Sequence, residues 1–85
     1  MNLSQAKLNH VYEIVSVNIN NEKLKLRLEE LGMFQGEKVE VKKFSVLKKT
    51  MLIRIFNSLF TLKVQIAKNI IIKSSVAFVW QKFLL

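Results

Sequence analysis

The chain has 85 residues and carries a net charge of +8, with no cysteine, no proline and only two glycines, so one domain with a modest core is the natural reading. Disulfides and thiolate metal sites are excluded, and MNLSQAKLNH lacks the basic start and apolar block of an export signal. The most apolar stretch, Ile70 to Leu85, is broken by Lys73, Gln81 and Lys82 and falls short of the roughly 20 residues that span a bilayer, so a cytoplasmic protein with no direct membrane insertion is expected.

Leu3 to Leu8 reads as one helical turn opened by Ser4, whose hydroxyl suits a free amide two or three residues on. Asn9 then fits a left-handed turn position, because Asn tolerates positive φ. Val11 to Val17 alternates loosely and is rich in β-branched residues, which predicts a strand. Asn20 or Asn21 caps a short helix from Glu22, and Leu24, Leu28 and Leu31 fall at i, i+4 and i+7 as one apolar stripe. Gly32 stands where a helix closes through a left-handed residue, and Gly36 belongs to the tight turn that launches the next strand, Glu37 to Val46. A helix so short borrows its stability from packing, so the two glycines are expected to pin it against a sheet.

Met51 to Phe56 and Leu59 to Val64 read as two strands joined at Asn57-Ser58, with Asn57 supplying the positive φ of a hairpin turn. Ile70 to Lys73 is a short β-branched run, read as a buried strand. Five short strands and one short helix predict a mainly β chain folded as a small β-barrel over residues 1 to 73. The tail from 74 to 85 is an apolar extension that packs on the barrel or on a partner. Val76, Val79, Trp80 and Phe83 fit a helix face capped by Ser74 or Ser75, and strand alternation fits nearly as well.

Enzyme chemistry fails on inventory. The one histidine, His10, has neither Cys nor Asp anywhere in the chain to complete a nucleophile, base and orienter, and no phosphate-binding glycine loop is present. Ser4, Ser45, Ser58, Ser74 and Ser75 are more simply caps and turns. Glu29-Glu30 and Glu37-x-x-Glu40 offer a hard cation little, since adjacent helical residues point about 100° apart. No catalytic residue, cofactor or metal site is therefore expected. The charge is lopsided: residues 1 to 40 hold five basic and six acidic side chains, a balance of −1, and residues 41 to 85 hold nine basic ones and no acid. That half fits a solvated face, and it also fits a nucleic-acid-binding barrel in which Phe44, Phe56, Phe60 and Trp80 interleave with lysines. Phenylalanines in the strands of a small barrel are more often core.

Arg27-Leu28, Leu31-Gly32-Met33, Gly36 and Val39-x-Val41 resemble the RLxxLGhxxGxxVxV signature of the FeoA family, small cytosolic SH3-like proteins that accompany the ferrous-iron transporter FeoB. Leu3-Ser4, Leu62-Lys63, and Ala67 with Ile70 extend the resemblance over roughly residues 3 to 73. The same domain ends some metal-dependent repressors, whose helix-turn-helix this sequence does not contain. Asn9 and Asn57 stand at two family turn glycines, Gln35 replaces a common proline or threonine, and Ile66 replaces a frequent glutamate. Lys48-Lys49-Thr50 replaces a Gly-Asp-Pro loop and makes it basic.

The resemblance implies an SH3-like small barrel and a non-catalytic accessory protein of ferrous iron transport and iron homeostasis. Its partner would be the cytosolic part of a FeoB-type transporter, with nucleic acid binding by the basic half as the alternative. Transition metal binding is a property of the family, yet the chain has no evident iron ligands. Candidate partner contacts are Leu26, Glu30, Lys48 and Lys49. Lys48 and Lys49 are expected exposed at a loop tip. Leu26 lies about 200° from Leu24 on the helical wheel, flanked by Glu29 and Glu30. It reads as a lone exposed leucine, as a residue covered by Trp80 or Phe83 of the tail, or as an anchor for a partner.

Overall fold

The computed structural model describes residues 1–75. A 3-10 turn at Leu3–Gln5 precedes β1 (Val11–Val17), α1 (Glu22–Glu30), β2 (Lys38–Phe44), β3 (Thr50–Ile55), β4 (Ser58–Lys63), α2 (Val64–Ala67) and β5 (Ile70–Ser74). All strand pairs are antiparallel, in the order β4-β3-β2-β1-β5. Alternation sends Tyr12 and Ile14 of β1, Val39 and Val41 of β2, Met51, Ile53 and Ile55 of β3, and Ile70 and Ile72 of β5 into one core.

Among the described residues the hydrogen-bond ladder does not close into the expected barrel, and β4 and β5 are its two edges. Two register shifts, between Ile14 and Ser16 and between Val41 and Lys43, bend the sheet so that both edges still reach the common core. The seam between them is covered rather than paired. Short α2 packs on β4 and on the N-terminal turn, which in turn packs on β5. The Ile72 amide donates to the Met1 carbonyl at 2.9 Å, and Leu3 and Ala67 are fully buried. Sequence reading missed α2, because Val-Gln-Ile-Ala continues the β-branched texture of β4.

Several local expectations are corrected. The first turn is capped by Asn2, whose Oδ1 accepts from the Ser4 amide at 3.0 Å while the Gln5 side chain accepts from the Asn2 amide; Ser4 is inside the turn. Of the predicted leucine stripe on α1, only Leu28 is buried; Leu24 is half-buried and Leu31, beyond the last helical residue, is exposed. Met33 takes the place in the core given to Leu31. The β3–β4 turn places its positive φ on Phe56 (55°), not on Asn57. Phe56 is exposed rather than core, and Phe44 and Phe60 are only partly buried against it. Ser74 is the last residue of β5, so it caps no helix; the expected helix face of Val76, Val79, Trp80 and Phe83 lies outside the described residues.

Candidate partner interface

The link from α1 to β2 fixes the orientation of the helix. Asn21 caps α1, its Oδ1 accepting from the Leu24 amide at 3.1 Å, and Glu22 follows in the first turn, where the helix dipole favours an acid. At the other end the Gly32 amide donates to the Glu29 carbonyl at 3.0 Å and the Met33 amide to the Leu28 carbonyl at 2.8 Å. With Gly32 at φ 97° and both Leu28 and Met33 buried, this is a Schellman closure with its apolar contact. Three residues on, the Glu37 amide donates to the Phe34 carbonyl across a turn whose third residue, Gly36, holds φ 91°. The Gly36 amide donates to the Ile14 carbonyl at 2.8 Å, and the Ile14 amide to the Glu37 carbonyl at 2.9 Å. Both glycines thus serve one purpose, tying the helix exit to β1.

That tether turns Leu28 inward and Leu26 outward. Leu26 is 57 % exposed, and its neighbours one turn away are Glu22, Lys23, Glu29 and Glu30, all exposed. At the helix exit, the Phe56 ring lies beside Gly32, and the Arg54 Nε donates to the Phe56 carbonyl at 3.3 Å. Phe56, 66 % exposed, also borders a shallow groove of about 300 Å³ with Val11, Glu40 and Arg54. Sequence reasoning missed it as a surface residue. The available signal was its place in a two-residue link between strands, where an aromatic ring has no core to enter.

Lys48 and Lys49 belong to a separate region. They sit in the β2–β3 link, where the Ser45 hydroxyl accepts from the Lys49 and Thr50 amides, both at 3.1 Å, and Lys48 adopts φ 55°. β3 runs from that link to the Phe56 turn, six residues or about 20 Å away. The structure therefore does not gather the candidate contacts into one site: Leu26 and Glu30 lie on α1, whose exit meets the far end of β3, while Lys48 and Lys49 face α2. Asn9 is a turn residue with φ 64°, and its amide donates to the Val41 carbonyl at 2.9 Å.

One charged cluster joins strands. Glu13 of β1 stands opposite Lys38 of β2 and Lys73 of β5, and bonds them at 2.8 and 3.3 Å. The hydrogen bonds from Lys38 and then Lys73 hold its carboxyl below the ordinary value. His10 is exposed. Among the described residues, no three His, Cys, Asp or Glu side chains gather closely enough to hold a metal ion. None of the described helices is long and apolar enough to cross a membrane.

The FeoA domain model matches residues 1–74. The chain belongs to the FeoA family. It is similar to the solution structure of a FeoA protein from Chlorobium tepidum, at 27 % identity and a TM-score of 0.80 over 87 % of this chain and 70 % of that one. A crystal structure of Stenotrophomonas maltophilia FeoA complexed with zinc, presented as a prokaryotic SH3 domain protein and candidate ferrous iron transport activating factor, is 29 % identical with a TM-score of 0.73 over 86 % of this chain and 89 % of that one. Iron(II) transport protein A from Clostridium thermocellum shares the fold, with a TM-score of 0.81 at 24 % identity; this chain covers 46 % of it and 89 % of its own length aligns. The chain has no match among curated proteins. The open five-stranded sheet with its short helix is thus the SH3-like fold of FeoA proteins, and the family is an accessory, transport-related domain associated with ferrous iron transport.

Proposed function

We propose that the chain is a non-catalytic accessory protein of ferrous iron uptake that binds the cytosolic part of a FeoB-type transporter and acts in the cytoplasm at the inner face of the membrane. The observation that carries this reading is that the FeoA domain match spans residues 1–74, nearly all of the described residues. The description of the Stenotrophomonas relative as a candidate activating factor supports the same direction. The surface suits a binding role. Leu26 protrudes from α1 within a ring of charges, the arrangement of an interface anchor surrounded by polar residues that exclude water.

The test is calorimetric titration of the full chain into the purified cytosolic domain of the FeoB-type transporter from the same organism. Saturable binding that survives moderate salt is expected, because a partly apolar contact is screened little. No binding in this titration overturns the reading. The nucleic-acid alternative has weaker support: Phe44 and Phe60 are partly buried against the core, and the exposed Phe56 lies at the opposite end of β3 from the lysine loop. Such binding would instead lose orders of magnitude in affinity between roughly 50 and 200 mM salt.

A further inference from the structure

The most exposed apolar side chains of residues 1–75 are not on α1. They are Val46 and Leu47, 98 % and 75 % exposed, at the tip of the β2–β3 link. This tip is held rather than loose. The Ser45 amide donates to the Thr50 carbonyl at 2.9 Å, which leaves four residues, Val46 to Lys49, to make the turn. Within it the Lys48 amide donates to the Ser45 carbonyl at 2.9 Å, while the Ser45 hydroxyl takes the Lys49 and Thr50 amides. Two apolar side chains are therefore presented to water by a bonded turn, beside two ammonium groups.

Two more lysines stand behind the tip. The Val64 amide donates to the Lys49 carbonyl at 2.9 Å and brings the end of β4 and the start of α2 against the turn. The result is a groove of about 530 Å³ bordered by Lys48, Lys49, Lys63 and Lys68. None of these four lysines takes part in an ion pair among the described residues, and residues 41 to 85 contain no acid to neutralise them.

We propose that this end of the molecule docks on an anionic lipid surface, with Val46 and Leu47 entering the headgroup boundary and Lys48, Lys49, Lys63 and Lys68 binding lipid phosphates. The order of the chemistry selects a bilayer over other polyanions. A bilayer presents negative charge outside and hydrocarbon just beneath, which matches an apolar tip set beside a cationic collar. Nucleic acid supplies phosphates, but Val46 and Leu47 cannot stack on bases, and a soluble phosphate leaves both in water. Docking goes beyond the expected absence of membrane insertion, because two side chains enter the interface and nothing spans it. It also stands apart from the transporter reading. The opposite end of β3, with Phe56 and the exit of α1, stays free for a protein partner.

The test is co-sedimentation of the full chain with vesicles of phosphatidylcholine alone and of phosphatidylcholine carrying about one-third phosphatidylglycerol, at low salt. No transporter is present, so its failure and failure of the transporter reading are separate results. Binding to the anionic vesicles at least about ten-fold stronger than to the neutral ones is expected, since each lysine near such a surface contributes roughly five-fold. The double variant Lys48→Glu/Lys49→Glu should lose more than about ten-fold on the same basis. Val46→Ser/Leu47→Ser should lose several-fold while keeping its salt dependence. Circular dichroism melts should match the parent for both, and Lys68→Glu supplies the charge test if the loop reversal does not fold. Equal binding to neutral vesicles overturns the proposal, as does binding that survives both double variants. Displacement from vesicles by an oligonucleotide whose own binding ignores Val46→Ser/Leu47→Ser also overturns it, and would assign the lysines to nucleic acid.

Discussion

Gly32 lies so close to Ile55 that a Cβ placed on it would fall 2.8 Å from the Ile55 Cγ2, with two carbons of the Phe56 ring at 3.3 and 3.4 Å. The φ of 97° excludes most side chains independently of that contact. Gly36, at φ 91°, has no atom within 4 Å of the same position apart from itself and its two chain neighbours. The two glycines therefore separate backbone strain from crowding. Gly36→Ala should destabilise by about 1–2 kcal/mol, the conformational cost alone. Gly32→Ala should lose clearly more, and Gly32→Val more again, as a β-branched side chain meets both constraints. Urea melts of the three variants decide it. Equal losses for the two alanine variants would show that Ile55 gives way freely.

The same glycines show how far the sequence could be read. With only two in the chain, each had to mark a position that a Cβ would damage, and the helix-to-strand join followed. The strands were legible because Val39 and Val41 alternate with charged residues, and because Met51 to Ile55 is an apolar, β-branched run broken only by Arg54. What failed depended on contacts outside the local pattern. Phe56 rather than Asn57 holds the left-handed turn position, beside Gly32 from another element. Leu31 kept the helical spacing, yet it lies past the last residue of α1, and the chain delivers Met33 to the core instead. The seam between β4 and β5 is covered by α2 and the N-terminal turn, a packing that alternation does not encode. At the candidate sites, Leu26 could be placed outward from the helical wheel alone. The lysine groove could not, because Lys63 and Lys68 join Lys48 and Lys49 only through the return of β4.

Glu13 links three strands through Lys38 and Lys73, and its lowered pKa makes that clamp depend on pH. For an acid whose folded pKa is depressed, the stabilisation is present above the unfolded value, here near 4.5, and is lost as pH falls through the folded pKa. Glu13→Gln should therefore melt below the parent near neutral pH, with the gap closing in acid. Because the group is solvent-accessible, added salt should also narrow the gap. A gap in Tm that stays constant well below pH 4.5 would mean that packing, not charge, accounts for it.

Iron itself should find no dedicated ligand set on residues 1–75, where no cluster of three acidic or histidine ligands forms. Anaerobic calorimetric titration of the full chain with Fe²⁺ should give no stoichiometric site with a micromolar Kd. A saturable one-to-one isotherm would contradict this, and repeating it with His10→Ala and with Glu37→Gln/Glu40→Gln would locate the ligands.

Leu26 distinguishes a binding surface from an indifferent one. Its side chain is 57 % exposed on the face of α1 opposite buried Leu28, among Glu22, Lys23, Glu29 and Glu30. Helix stability does not need it there, since Asn21 caps the start, Gly32 closes the end, and Leu28 and Met33 make the buried contacts. Leu26→Glu should accordingly change stability by no more than about 0.5 kcal/mol, the range of surface substitutions. Placed on the interface, the same change puts a carboxylate where an apolar anchor was desolvated, and a loss of about 2 kcal/mol or more in binding the transporter's cytosolic domain is expected. Glu30→Lys, one turn along, should alter the association rate and its salt dependence more than the dissociation rate, as a rim charge does. A large fall in Tm for Leu26→Glu would show that Leu26 is covered by another part of the chain. An unchanged Tm with unchanged binding would place the partner contact elsewhere, and the exposed Phe56 beside the exit of α1 is then the next side chain to truncate.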